Sequence, residues 1–155
     1  MLQEGIQAPS FTALDQFEVS HTLSGYKGSF VILYFYPKDN TPGCTAEACA
    51  IRDSWQDFRD KNIIVLGVSA DSSKSHKNFS EKYSLPFPLL VDSDKKILRA
   101  YEAIGMKKMF GRTYEGILRI SYLIGPDGKI AKAYPKVKPN EHAAEILRDV
   151  DSITK

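Results

Sequence analysis

The sequence predicts an α/β fold in which a central mixed sheet is flanked by helices, with a hairpin extension at the N-terminus. Residues 29–38 and 62–71 are continuous apolar runs, rich in β-branched and aromatic side chains. Such runs are typical of strands buried on both faces. A segment with helical character follows each run. A late pair of strands, separated by Pro126-Asp127-Gly128, adds an antiparallel hairpin to the mainly parallel sheet.

The first third of the chain contains one extended segment, one strand and one long helix. Residues 1–28 have short apolar patches and predict a loose hairpin with a turn at residues 15–18. The strand at 29–38 ends at Pro37, which cannot donate to a sheet. A helix is expected from Thr41 to about Lys61, because alanines favour it and apolar side chains recur on one face. Those side chains are Ile51, Trp55 and Phe58.

The remaining elements alternate in the same way and end with a helix. Serines suited to capping begin a helix at 72–85, before Pro86. The others are a strand at 87–92, a short helix at 94–105, strands at 117–125 and 129–137, and a helix that starts at Pro139 and continues through 140–153. This order is the outline of a thioredoxin-like fold.

Length and composition favour one globular domain over residues 1–155, because the chain is long enough to bury a core. The 21 basic and 19 acidic residues are too evenly balanced to suggest a nucleic-acid or membrane surface. No targeting segment is recognised at the N-terminus, so a cytoplasmic location with reduced thiols is expected. Two cysteines are too few for a disulfide scaffold, and the three histidines are too scattered to complete a zinc site.

The chemistry is expected at the junction between the first buried strand and the long helix. Cys44 falls in the first turn of that helix, where free backbone N–H groups and the helix dipole favour a thiolate. Thr41 can hydrogen-bond a substrate oxygen, and it also suits the helix N-cap. Pro37 and Pro42 stiffen the loop. The alternative for Cys44 is a small buried hydrophobe, which free cysteine often is.

Cys49 follows Cys44 by five residues, a spacing that an intact helix makes too wide for a disulfide. Five helical residues place the two Cα atoms roughly 8.7 Å apart, whereas a disulfide needs them within about 7 Å. Either Cys49 is an inert core residue, or the first turns of the helix unwind when the bond forms. A C-x-x-C oxidoreductase would have a different spacing.

The segment from Tyr36 to Cys49 resembles the active-site motif of the peroxiredoxins. The string YFYPKDNTPGCTAEAC is similar to the subgroup called bacterioferritin comigratory protein or peroxiredoxin Q. Residues 110–130, FGRTYEGILRISYLIGPDGKI, resemble the segment that carries the family's essential arginine, which falls on Arg119. The opening GIQAPSFTALDQ is also similar, so the resemblance covers nearly the whole chain.

This resemblance implies a role for each matched residue. Cys44 matches the peroxidatic cysteine and Cys49 the resolving cysteine of the single-chain, atypical type. Arg119 matches the arginine that contacts thiolate and peroxide, and Glu47 an acid that orients it. Thr41 and Pro37 match the other two motif positions. The implied substrates are hydrogen peroxide and organic hydroperoxides. The implied reductant is thioredoxin or glutaredoxin, the implied state is a monomer, and no metal or cofactor is expected.

Other readings of these residues remain open at this point. An arginine in a strand is most often a solvated edge charge, although an alternating apolar strand makes an inward-facing Arg119 plausible. Glu47 would by default lie on a solvated helix face. Rival functions are a thiol–disulfide oxidoreductase, a peroxide-responsive redox sensor or binding module, and a structural protein with inert thiols.

Overall fold

The computed structural model describes all 155 residues and contains nine strands and five α-helices. The strands are β1 (Thr12–Leu14), β2 (Ser20–Thr22), β3 (Phe30–Phe35), β4 (Ile63–Ser69), β5 (Leu89–Val91), β6 (Ile104–Met109), β7 (Arg112–Ile117), β8 (Ile120–Ile124) and β9 (Ile130–Tyr134). The helices are α1 (Pro42–Asp53), α2 (Trp55–Asp60), α3 (Ser73–Tyr83), α4 (Lys96–Ala100) and α5 (His142–Thr154). No helix combines the length and the apolar character that crossing a bilayer requires.

The central sheet has five strands in the order β5-β4-β3-β8-β9. Strands β3, β4 and β5 are parallel, β8 pairs antiparallel with β3, and β9 pairs antiparallel with β8. All six residues of β3 are buried, because helices or loops cover both faces of this central strand. The predicted mixed sheet and α/β class are therefore confirmed, and so is the N-terminal hairpin, formed by β1 and β2.

Two apolar clusters lie on opposite faces of this sheet, as period-2 alternation along its strands requires. Ile32 and Tyr34 face a cluster that includes α1, α2, α3 and α5. Leu33 and Phe35 face a second cluster that includes α4 and the N-terminal segment. Burial of each such aliphatic side chain contributes about 1.5–3 kcal/mol. The carboxyl ends of β3 and β4 are thus held rigidly beneath the loops that follow them.

Three helices differ clearly from their predicted bounds. The short helix predicted at 94–105 covers only Lys96–Ala100, and Ile104 and Gly105 belong to strand β6 instead. The expected helix from Thr41 to Lys61 is interrupted at Ser54, whose backbone leaves the regular helical conformation and divides it into α1 and α2. The break lets Trp55 pack against Phe87, with ring centroids 5.8 Å apart. The last helix begins at His142 rather than at Pro139, because turns occupy the residues between them.

A hairpin that the sequence did not predict precedes β8. Strands β6 and β7 pair only with each other, joined by Phe110 and Gly111, which have positive φ values of 52° and 75°. This pair of left-handed residues is the geometry of a tight two-residue hairpin. The predicted strand at 117–125 is consequently shorter. Arg119 lies in the two-residue link between β7 and β8, not inside a strand as expected.

Candidate active site

Cys44 occupies the first turn of α1, beyond the carboxyl end of β3. Pro42 is the first helical residue, a position where its missing N–H costs no hydrogen bond. The side chain of Cys44 belongs to the cluster on this face of the sheet, and only 2% of the residue is exposed. The strand and the helix therefore fix the thiol at the edge of the core with free helix N–H groups around it.

Arg119 links Cys44 to Glu47 through two nitrogen atoms of its guanidinium. One nitrogen lies 3.3 Å from the sulfur of Cys44 and the other 2.9 Å from Glu47 Oε1. The link between β7 and β8 carries Arg119 to the start of α1. A guanidinium is always charged and presents donors in a rigid fork. Arg119 therefore places a fixed positive charge against the sulfur of Cys44.

Glu47 lies one helical turn after Cys44 and is completely buried. Burial raises the pKa of Glu47 from 4.5 to about 7, and Arg119 opposes this effect without overcoming it. One oxygen of the carboxyl bonds Arg119, whereas Oε2 has no hydrogen-bond partner. The default expectation of a solvated helix face does not hold for this residue. Its position makes it the support of Arg119.

Gly43 leaves the space that Arg119 needs beside the thiol. A Cβ atom built on Gly43 would lie 2.9 Å from a terminal nitrogen of Arg119, closer than such contacts normally occur. That nitrogen also contacts Cys44, and the other is held by Glu47. The guanidinium therefore cannot move aside without losing one of these contacts. A side chain at position 43 would disturb the contact of Arg119 with Cys44 or with Glu47.

Thr41 and Pro37 lie in the loop between β3 and α1. Thr41 is the N-cap residue of α1, but its side chain makes no capping hydrogen bond. Its hydroxyl instead donates to the carbonyl of Lys38, at 2.8 Å. Pro37 is half-buried and directly follows the buried Tyr36. The structure thus brings Cys44 and Arg119 into contact, whereas Thr41 is engaged with its own loop.

Cys49 lies on the same helix as Cys44, and both thiols are free. Cys49 is half-buried. The helix is continuous through both residues, so the expected geometric condition holds: a bond between them requires α1 to unwind locally.

Comparisons with known proteins identify the family of this chain. A model of the AhpC/TSA family matches residues 5–133. The chain belongs to this family. It is 42% identical over 153 residues to peroxiredoxin Bcp of Bacillus subtilis, covering 99% of this chain and 98% of that protein. It is 39% identical over 146 residues to peroxiredoxin Bcp of Escherichia coli, covering 94% of each.

Solved structures of Bcp and PrxQ proteins have the same fold. A cysteine-to-serine variant of Xylella fastidiosa PrxQ superposes with a TM-score of 0.94 and 35% identity, covering 100% of this chain and 99% of that one. A Xanthomonas campestris bacterioferritin comigratory protein, studied for alkyl peroxide reduction, gives 0.92 and 34%, covering 99% and 100%. The thioredoxin-like fold and the Bcp/PrxQ resemblance are confirmed. This peroxiredoxin is accordingly an oxidoreductase with peroxidase function.

An anchored acid in the loop of this peroxiredoxin escaped the sequence analysis. The side chain of Asp39 is almost fully buried and accepts hydrogen bonds from the hydroxyls of Tyr36, at 2.6 Å, and Ser75, at 2.8 Å. His76 contacts it at 2.7 Å. The backbone N–H of Asp39 donates to Asp71, at 2.9 Å. Asp39 and His76 are 37 residues apart, and no local spacing connects them.

A cation from the unpredicted hairpin also approaches the site. Lys107, on β6, is half-buried, and its stem lies over Gly116. Burial lowers the pKa of Lys107, and the nearby charge of Arg119 lowers it further, while Cys44 acts in the opposite direction. Lys107 therefore adds a second positive charge near the thiol and Arg119.

Proposed function

We propose that this peroxidase reduces hydrogen peroxide and organic hydroperoxides through Cys44, with Cys49 as resolving cysteine. The observation that carries the proposal is the contact of Arg119 with both the Cys44 sulfur and the buried Glu47. Arg119 contacts the sulfur of Cys44 and is partly exposed, so its charge is suited to bind a small polar oxidant beside the thiol. The Arg119 side chain remains 21% exposed, which provides the approach.

In the first step the Cys44 thiolate attacks the terminal oxygen of the hydroperoxide. The O–O bond breaks, a sulfur–oxygen bond forms, and the sulfur becomes a sulfenic acid. The leaving hydroxide or alkoxide takes a proton and departs as water or alcohol. Arg119 and the free N–H groups at the start of α1 stabilise the charge that develops on oxygen. Thr41, at the helix N-cap, contributes once its hydroxyl turns from Lys38.

In the second step Cys49 condenses with the sulfenic acid. The Cys49 thiol attacks the oxidised sulfur, the disulfide forms, and one water molecule is released. This step requires the beginning of α1 to unwind. A dithiol protein, thioredoxin or glutaredoxin, then reduces the disulfide by exchange and is itself oxidised. We place this cycle in a single-domain monomer in the cytoplasm, where such reductants maintain thiols.

A coupled assay tests the whole cycle. Peroxide is supplied with thioredoxin, thioredoxin reductase and NADPH, and the oxidation of NADPH is followed. We expect catalytic peroxide consumption by the native protein and none by Cys44→Ser. Full activity of Cys44→Ser would refute the proposal. Slow, substoichiometric consumption by the native protein would instead indicate a redox sensor.

Cys49→Ser separates the two steps. This variant is expected to form one equivalent of sulfenic acid, detectable with a sulfenic-acid-specific reagent, but not to recycle with thioredoxin. In the native protein, peptide mapping after peroxide treatment should find the Cys44–Cys49 bond. Normal turnover of Cys49→Ser would contradict the resolving role and show that Cys44 is reduced directly.

A further inference from the structure

The three histidines differ in what their ring nitrogens face. His21 contacts Asp15 with one nitrogen and the hydroxyl of Tyr26 with the other. His142 contacts Glu145 and the hydroxyl of Ser121 in the same way. A hydroxyl either donates or accepts a hydrogen bond. Each of these two imidazoles is therefore satisfied with a single ring proton.

The nearest partner of each ring nitrogen of His76 is an acceptor. Its Nε2 lies 2.9 Å from the carbonyl oxygen of Leu90, and its Nδ1 lies 2.7 Å from Asp39 Oδ2. The hydroxyl of Tyr36 is farther, 3.5 Å from Nδ1, and donates its proton to Asp39 Oδ1. A neutral imidazole carries one N–H, so either tautomer would leave a nitrogen lone pair directed at an oxygen lone pair. The side chain is fully buried, where an unmatched contact of this kind is costly. With Asp39 ionised, the two contacts are satisfied together only when both nitrogens carry a proton.

The surroundings of His76 favour a positive charge. Asp39 accepts from Tyr36 and Ser75 as well as from His76, which suits an ionised carboxylate. Asp71 is the second acid, and its oxygen, that of Asp39 and a nitrogen of His76 lie within 4.8 Å of one another. These groups come from the loop after β3, the segment after β4, and α3. A buried cation is stable only where it is paired and hydrogen-bonded in this way.

We propose that His76 is a buried imidazolium that positions the loop of residues 37–41 by binding Asp39. The inference rests on the proposed function, because this loop leads directly into the turn of α1 that carries Cys44. Asp39 is fixed through its side chain by α3 and through its N–H by Asp71. The fixed loop restrains the start of α1 and keeps the thiolate aligned with Arg119 while peroxide is attacked. His76 is thus a positioning residue, remote from the substrate.

The protonation state is tested on the native, reduced protein. Two-dimensional ¹H–¹⁵N spectra of the histidine rings at pH 7 should show two protonated nitrogens for His76 and one for His21 and His142. Loss of signals in His76→Gln assigns the resonances. A single protonated nitrogen on His76 would overturn the proposal. This measurement needs no peroxidase activity, and it decides the matter alone if the variant does not fold.

The positioning role is tested by separating the two chemical steps. In His76→Gln we expect the rate of sulfenic acid formation to fall about 10- to 100-fold, as for other misplaced reacting groups. Formation of the disulfide should not slow, because the freed loop no longer restrains α1. Trp55, the only tryptophan and a neighbour of this core, reports both steps by fluorescence. His21→Gln is the matched control and should change neither rate.

Amide hydrogen exchange gives a result that does not depend on turnover. The N–H of Asp39 should exchange faster in His76→Gln than in the native protein, while amides of β3 keep their protection. An unchanged rate of sulfenic acid formation, or unchanged exchange at Asp39, would refute the positioning role. If the native protein fails to consume peroxide, the proposed function fails, but the ring protons and the amide exchange still test the binding of the loop.

Discussion

The two cysteines of α1 are five residues apart and lie in opposite surroundings. Cys44 is 2% exposed, contacts a guanidinium and has a buried acid one turn away. Cys49 is half-buried and takes part in no hydrogen bond or ion pair. Reactivity of a thiol depends on charge and hydrogen bonding around it. Cys44 thus has the surroundings that activate a thiol, whereas in the proposed cycle Cys49 needs only to reach it.

Removal of Arg119 should have the largest effect on the reactivity that distinguishes Cys44 from Cys49. Arg119→Gln takes away the positive charge and the donor that face Cys44, and it leaves Glu47 buried without its partner. We expect the second-order rate constant with peroxide to fall about 10²- to 10³-fold, the range found for loss of one oxyanion donor. Stopped-flow fluorescence measures this rate.

The matched control for this variant is Arg99→Gln. Arg99 also pairs with an acid, Glu115, but 58% of its side chain is exposed. Exposed pairs contribute about 0–1 kcal/mol, so both rate and stability should stay near native values. Equal losses in the two variants would mean that Arg119 acts through general charge and not through its contact with Cys44.

The second prediction concerns the pH dependence that Glu47 gives to stability. Its pKa is about 7 in the folded protein and 4.5 otherwise, because burial penalises the charge. Between these values the folded protein retains a proton that the unfolded chain has released, so raising the pH through this interval lowers stability. For a fully buried group this amounts to about 3 kcal/mol.

Glu47→Gln removes that titration and keeps the shape of the neutral acid. The difference in unfolding free energy, variant minus native, should therefore grow by about 3 kcal/mol between pH 4.5 and pH 7.5. Urea unfolding of the reduced proteins at several pH values measures it, and other titrating groups cancel in the difference. A difference independent of pH would show that the pKa of Glu47 is the same in the folded protein and in the unfolded chain.

A smaller effect is expected from a methyl group at position 43. Gly43→Ala improves helix propensity by about 1 kcal/mol, but its Cβ would lie 2.9 Å from Arg119. We expect the peroxide rate to fall about tenfold while thermal stability is kept or raised. Gly25→Ala is the control, because a Cβ there meets nothing within 4 Å. Unchanged activity of Gly43→Ala would show that Arg119 moves aside freely.

The smallest effect on the peroxide rate should follow removal of the positive charge of Lys107 on the β6–β7 hairpin. Lys107→Met keeps the stem over Gly116 and deletes a cation near Cys44 and Arg119. We expect the peroxide rate to fall about two- to threefold, as for a partly exposed charge. The loss should shrink in high salt, which screens the interaction. Lys108 is the exposed neighbour of Lys107, so Lys108→Met is the control and should not change the rate.

The sequence predicted the parts of the fold that local patterns determine. The apolar run of β3 and the strand–helix junction at Cys44 were recognised because burial on both faces leaves a continuous signal. The interruption at Ser54 was missed, since the apolar spacing of Ile51, Trp55 and Phe58 continues across it. The β6–β7 hairpin was missed because many of its side chains are exposed and mixed in polarity, with little alternation.

The site was predicted where the motif names its residues and missed where only the fold joins them. Cys44 and Thr41 lie in one short string. The assignment of Arg119 rested on family resemblance, because an arginine near a strand has no distinctive pattern of its own. The link between Asp39 and His76 depends on two loops and a helix meeting at one end of the sheet. No periodic pattern in the sequence indicates that these segments come together.

The distance along the chain between Cys44 and Arg119 has a consequence for synthesis of the protein. Arg119 is added 75 residues after Cys44, which takes about 4 to 15 s at ordinary ribosomal speeds. During that interval the Cys44 side chain has no Arg119 beside it. The contact between the two residues forms only when β8 joins β3 in the central sheet. The arrangement around the thiol is therefore completed late, after most of the chain has been made.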